Sequence, residues 1–135
     1  MAGEPITESL EAVAERCADP APLVYARLFA QQPEMRDLFI RDANGAVRGQ
    51  MLFQAIETVL DFVGRGAYAA NLVGAEVVNH ENLGVPRRVF ASFFVVMMET
   101  FREILGDDWT AEYDRAWRAV VADLQAAAGF VDAAG

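Results

Sequence analysis

The sequence predicts an all-α protein. Apolar residues recur at three- and four-residue spacing almost from end to end, and no stretch of useful length alternates apolar with polar residues. Proline or glycine falls where the periodic segments stop. The 135 residues, 54% hydrophobic and 23% charged, have the length of one domain, residues 1–135, with enough apolar side chains to close a single core.

Taken in order, Leu10, Val13, Ala14 and Cys17 form the stripe of a first helix, with Thr7 as its N-cap. A second helix opens at Asp19-Pro20, the aspartate capping and the proline in the first turn. It carries Leu23, Val24, Leu28 and Phe29 and stops at Gln32. Pro33 starts a short helical turn, "PEMRDLF", that ends at Phe39. "RDANGAVRG" is a corner with Asn44-Gly45 as its turn signal. A long helix then runs to about Val63, with Val47, Met51, Leu52, Ile56, Val59 and Leu60 on one face, until "GRG" at 64–66 breaks it.

Tyr68 to His80 form the next helix, closed by the Gly84 and Pro86 region. Pro86 begins a helix whose apolar residues nearly encircle it, from Val89 and Phe90 to Ile104 and Leu105, so burial on most sides is expected. After "LGDDWT", Thr110 caps a last helix with a seam of Tyr113, Ala116, Trp117, Val120, Val121, Leu124 and Ala128. That makes six or seven helices.

Composition narrows the function. Eleven arginines and no lysine stand against 20 carboxylates, leaving a net charge of −9 and a pI near 4.5. Such a surface repels phosphate backbones and anionic lipid, so no nucleic-acid or membrane partner is expected. Cys17 is the one cysteine. It allows no intrachain disulfide, CxxC metal pair or CxxCH haem attachment. The N-terminus is acidic and lacks a signal-peptide pattern, and the longest apolar run, "VFASFFVVMM", is too short to span a bilayer. A reducing cytoplasm is the expected compartment.

"NHENLGVPRRVF", residues 79–90, holds the single histidine, His80. Read from the residues alone, it is either a hydrogen-bonded structural histidine or a ligand. Without a second histidine or a cysteine cluster, a zinc site has no donor set. One protein ligand suffices where the metal brings its own others, as haem iron does.

Four segments, in order, resemble the globins. "VYARLFAQQPEMRDLF" (24–39) resembles the helix B to C segment of bacterial globins and flavohaemoglobin haem domains. "MLFQAI" is similar to their helix E, "NHENLGV" to their proximal "KHxxxGV", and "DRAW" to the "DAW" of their last helix. The fold this implies is the globin fold: about six to seven helices around a haem pocket, with helix D absent. The implied cofactor is non-covalent haem b.

By that resemblance, His80 is the proximal ligand to iron and Phe39 the corner phenylalanine that stacks on the porphyrin. Tyr25 is the helix B tyrosine that donates to bound O2. Matching "MLFQAI" puts Leu52 over the haem and Arg48 one turn earlier, at the distal polar position usually held by histidine or glutamine. A register shifted by two would put Gln50 there but drive Gln54 into the pocket, at a cost unless it is paired. The preferred register also sets Gly49 and Ala21 at a close crossing of helices B and E. Leu83, Val85, Phe93 and Phe94 are expected to wall the pocket, and Arg87 or Arg88 to pair with a propionate.

Phe90 is a further pocket residue and stands where flavohaemoglobins have a tyrosine. The glutamate of their last helix falls at Ala134, so their proximal relay is missing. Glu76, one turn before His80, is a candidate acceptor for the imidazole Nδ1–H, with Asn79 or a backbone carbonyl as alternatives.

The function implied is reversible binding of O2, and of NO and CO, by a single-domain globin that is not primarily an enzyme. NO dioxygenation would need an external reductase, since the chain leaves no room for a flavin domain. Met51 or Met35 as sixth ligand would make an electron-transfer haem, a less favoured arrangement. The alternatives are a gas sensor acting through a separate partner and a haem-free globin-like interaction module. A homodimer, if formed, is expected to use the spare apolar surface of the last two helices.

Overall fold

The computed structural model describes residues 3–65 and 67–129. Six α-helices follow one another: α1 (Gly3–Arg16), α2 (Ala21–Gln31), α3 (Ala46–Arg65), α4 (Ala67–Asn82), α5 (Arg87–Leu105) and α6 (Ala111–Ala127). A 3-10 helix, Pro33–Phe39, lies between α2 and α3, and a shorter one, Gly106–Asp108, between α5 and α6. Residues 40–45 form a corner without helix, and no strand occurs among the described residues.

Local chemistry fixes most boundaries. Asp19 Oδ1 accepts from the Ala21 N–H at 3.1 Å and satisfies one of the orphan donors of α2. Thr110 Oγ1 accepts from the Tyr113 N–H and caps α6, as expected. The corner before α3 is closed by Asp42, whose carboxylate accepts from the Val47 and Arg48 N–H groups, both at 3.0 Å. Gly45, at φ +76°, supplies the left-handed residue this turn needs. Gly66, where "GRG" was expected to break the helix, lies outside the described residues.

α5 is the central post. It packs against α1, α2, α4 and α6, and Phe94, Met97, Met98, Phe101 and Leu105 are all buried. α6 contributes Trp117, Val120, Val121 and Leu124 to the same core. Trp117 donates from Nε1 to Ser9 Oγ at 2.8 Å, and Ser9 Oγ donates to the Ile6 carbonyl at 2.7 Å. A buried indole N–H and a buried hydroxyl are satisfied together, tying α1 to α6. Arg16 closes the far end of α5 by donating to the Leu105 carbonyl at 2.8 Å and pairing with Asp108.

Four expectations are corrected. α1 begins at Gly3, so Thr7 lies inside the helix rather than at its cap. The inward side of α1 is Ile6, Ser9 and Val13, while Ala14 is exposed. On α3, Leu52 and Val59 are buried, whereas Val47 and Leu60 face water. The long helix is amphipathic over only part of the stripe read from its sequence. The exposed large apolar side chains, from Leu23 to Leu83, include none on α5 or α6 among the described residues. The surface expected for a dimer is thus spent on the core.

Candidate functional site

The cavity lies between α2, the 3-10 helix, α3, α4 and α5 and measures about 380 Å³, within the range of small-molecule and cofactor sites. Aromatic rings form much of it. Phe39 stands edge-on to Tyr25, ring centroids 5.4 Å apart, and Phe93 lies 5.6 Å from the same tyrosine. Phe90 and Phe94 continue the wall along α5, with Leu28, Val73, Val85 and Val89 filling between.

His80 lines this cavity from the last turn of α4. The backbone after it explains the "HxxxGV" spacing. Gly84, at φ +94°, turns the chain left-handed. The Gly84 N–H then reaches the Glu81 carbonyl at 3.1 Å, and the Val85 N–H reaches the His80 carbonyl at 2.9 Å. These paired bonds terminate α4 as a Schellman motif. The motif brings Val85 to the cavity wall beside His80, which is why glycine, then an apolar residue, follows the histidine at that distance.

His80 Nδ1 lies 2.8 Å from the Glu76 carbonyl oxygen. A carbonyl can only accept, so Nδ1 carries the hydrogen, and Nε2 is the ring atom with a lone pair for a ligand. Of the acceptors considered from sequence, the backbone carbonyl holds this bond; the Glu76 carboxylate lies farther off, at 3.8 Å. Phe90 meets the imidazole edge-on at 4.9 Å and brings no hydroxyl to it. Ala134 lies outside the described residues.

Across the cavity, the Tyr25 hydroxyl is buried without a hydrogen-bond partner. Burial pushes its ionisation far above the ordinary tyrosine range, an effect that nearby Arg48 opposes and Asp42 reinforces. The phenol is therefore a neutral donor at physiological pH. An orphaned buried hydroxyl costs about 1–3 kcal/mol, and such a group in a ligand-sized cavity fits a ligand that accepts.

Tyr25, Phe39, Val85, Phe90 and His80 therefore share one cavity, while Leu52 and Arg48 do not reach it. Arg48 donates from Nε to Asp42 Oδ2 at 3.0 Å and from Nη2 to the Asp42 carbonyl at 2.8 Å. Leu52 is buried in the core. α3 instead turns Met51, Gln54, Ala55 and Thr58 to the cavity, with Glu57 and Asp61. The register inferred from "MLFQAI" chose the more apolar row, and that row went to the helix–helix contacts. The row at 51, 54, 55 and 58 was visible as a helical face, but Gln54 argued against it.

Other wall positions change too. Leu83 is 71% exposed and stands outside. Arg87 pairs with Glu81 at 3.2 Å, and Arg88 donates to Gln32 at 3.1 Å with Glu34 nearby. Neither lines the cavity, whose charged residues are Glu57, Asp61 and Glu76. Gly49 does not mark a close crossing, since a Cβ there would meet nothing within 4 Å. Met35 and Met51 both line the cavity. Among the described residues, no group of three histidine, cysteine or acidic side chains could hold a metal ion, and no helix is long and apolar enough to cross a membrane.

The helical fold thus encloses a largely apolar cavity, with one imidazole on its wall and a buried phenol in its lining. The chain matches the family described as Globin over residues 23–128 and belongs to that family. The matched segment runs from α2 to the end of α6 and contains every residue of the cavity. No curated protein and no solved structure matched the chain.

Proposed function

We propose that this globin holds haem b in the cavity and reversibly binds O2, and also NO and CO, with His80 as the axial ligand. The observation that carries the reading is the pairing, in one cavity, of an imidazole whose Nδ1 is engaged with a buried hydroxyl that has no partner. Haem supplies an iron with four porphyrin nitrogens and a position open to a diatomic gas. The chain supplies the rest. His80 offers Nε2 in a fixed tautomer, held by the Glu76 carbonyl. Phe39, Val85 and Phe90 give the apolar contact a porphyrin face needs. Tyr25 keeps its proton and presents it as the donor on the distal side. Arg48, fastened to Asp42, contributes through its charge and not through a contact.

The carboxylates of the cavity lining, Glu57, Asp61 and Glu76, favour as a second reading a haem-free globin-like interaction module. Under the first reading, NO dioxygenation would require an electron donor protein. The compartment proposed is the cytoplasm.

The deciding measurement is the absorption spectrum of protein expressed with added haem, reduced and exposed to CO. A stoichiometric Soret band that moves with CO and is lost in His80→Ala is the expected result. A band that ignores CO would mean that a second protein ligand, Met51 or Met35, occupies the sixth position. Folded, helical protein that takes up no haem would leave the interaction module.

A further inference from the structure

Two oxygens of one residue approach His80 Nδ1. The Glu76 carbonyl takes the hydrogen bond at 2.8 Å, and Oε2 of the Glu76 carboxylate stands 3.8 Å from the same nitrogen. The second distance exceeds hydrogen-bond range, so the carboxylate acts through its field. One helical turn separates the two residues, and both side chains line the cavity, so the spacing is set by α4 itself rather than by a loop. His80 is 24% exposed on its side chain and Glu76 57%. On the neighbouring helix the ring meets Phe90 edge-on. Arg87, the nearest arginine in sequence, is engaged by Glu81.

We propose that Glu76 is a positioning residue for His80 through its carboxylate, beyond the carbonyl bond that already fixes the tautomer. Its carboxylate draws the Nδ1–H bond toward the negative charge and pushes ring electron density to Nε2, making His80 a stronger axial donor than a carbonyl alone would make it. The proposal rests on His80 being the haem ligand. It adds a residue of a different helix position and charge from the distal set, and the proton stays on Nδ1 throughout.

The test compares haem-loaded wild type, Glu76→Gln, Glu76→Asp and Glu81→Gln. Glu76→Gln keeps side-chain size and the backbone carbonyl while removing the charge, at a position exposed enough to leave packing intact. Glu81→Gln removes a charge one residue from His80 but away from the ring. The readouts are the iron–histidine stretching frequency of the reduced, gas-free protein and the rate of haem loss to an acceptor. Outer partners of metal-bound histidines carry about 10- to 100-fold in affinity. With the carbonyl still in place, Glu76→Gln is expected at the low end: a lower stretching frequency and haem loss roughly tenfold faster. Glu81→Gln is expected to match wild type, and Glu76→Asp to recover part of the frequency. Wild-type values in Glu76→Gln, or an equal shift in Glu81→Gln, overturn the proposal while His80 ligation stands. Wild type that binds no haem overturns both.

Discussion

Arg48 and Asp42 close a ring across the corner that opens α3. The guanidinium Nε donates to the carboxylate at 3.0 Å, Nη2 donates to the Asp42 carbonyl at 2.8 Å, and the Arg48 N–H donates to the same carboxylate at 3.0 Å. One acidic side chain caps a helix and fastens the arginine whose charge acts on Tyr25. The cavity therefore keeps its phenol as donor and loses the arginine that the sequence offered.

That ring sets an acid limit on stability. Burial alone would raise the Asp42 pKa, but the Val47 and Arg48 N–H groups and the guanidinium outweigh it and hold the carboxyl below its ordinary 3.8. A pKa depressed in the folded state gives stability that is complete above the unfolded value and is lost as pH falls through the folded one. Asp42→Asn is expected to melt at a lower temperature at pH 7. Its curve should converge with wild type as pH falls below about 4. Thermal melts across pH check this; a gap that stays constant into strong acid contradicts the assignment.

Tyr25→Phe removes a hydroxyl that is unpaired in the folded chain. Haem-free protein is expected to gain about 1 kcal/mol in denaturant melts, because the phenol no longer goes unsatisfied. Haem-loaded protein is expected to release O2 roughly tenfold faster, the loss of about one hydrogen bond. Stopped-flow release rates decide the second point. Equal rates would remove Tyr25 from the distal role.

Arg48→Ala separates charge from contact. Since Arg48 is fastened to Asp42 and does not line the cavity, its removal is expected to lower the melting temperature. It should change the O2 release rate much less than Tyr25→Phe does. An effect as large as that of Tyr25→Phe would mean that the guanidinium leaves Asp42 when ligand binds.

Ser9→Ala tests the tie between α1 and α6. It leaves the Trp117 indole N–H, fully buried, without its acceptor, an expected cost of about 1–3 kcal/mol. Trp117→Phe combined with Ser9→Ala is expected to cost less than the two changes summed, because they share one bond. Chemical denaturation of the three variants measures the coupling.

Two glycines are expected to answer in opposite senses to alanine. Gly84→Ala forces a side chain into the left-handed turn that ends α4 beside His80, a loss of about 1–2 kcal/mol. Gly49 lies inside α3 with open space at its Cβ position, so Gly49→Ala is expected to stabilise by about 0.5–1 kcal/mol. Melting temperatures of the pair give the sign directly. A destabilised Gly49→Ala would reinstate a close helix crossing there.

Much of this was legible because it is local. Helical periodicity, the Asp19 and Thr110 caps, the Pro33 start and the glycine after His80 each act within a few residues, so the order and nearly all the bounds of the helices follow from the chain itself. The first turn of α1 is the exception: reading Thr7 as its cap passes over Glu4 and Pro5, the kind of start signal read at Asp19-Pro20.

The sequence by itself determined the all-α class and the helix order, and its resemblance to the globins implied that His80, Tyr25, Phe39, Val85 and Phe90 come from segments that meet in one place. Only the tertiary structure decided how α3 is rotated about its axis, which kept Leu52 in the core and turned Gln54, Ala55 and Thr58 to the cavity. It also decided that Arg48 belongs to Asp42, and which oxygen of Glu76 holds the imidazole. A helix with two partly apolar faces can be read for its period but not for its rotation. Rotation is fixed by the summed packing of α1, α2, α4 and α6 around it, and no local pattern encodes that sum.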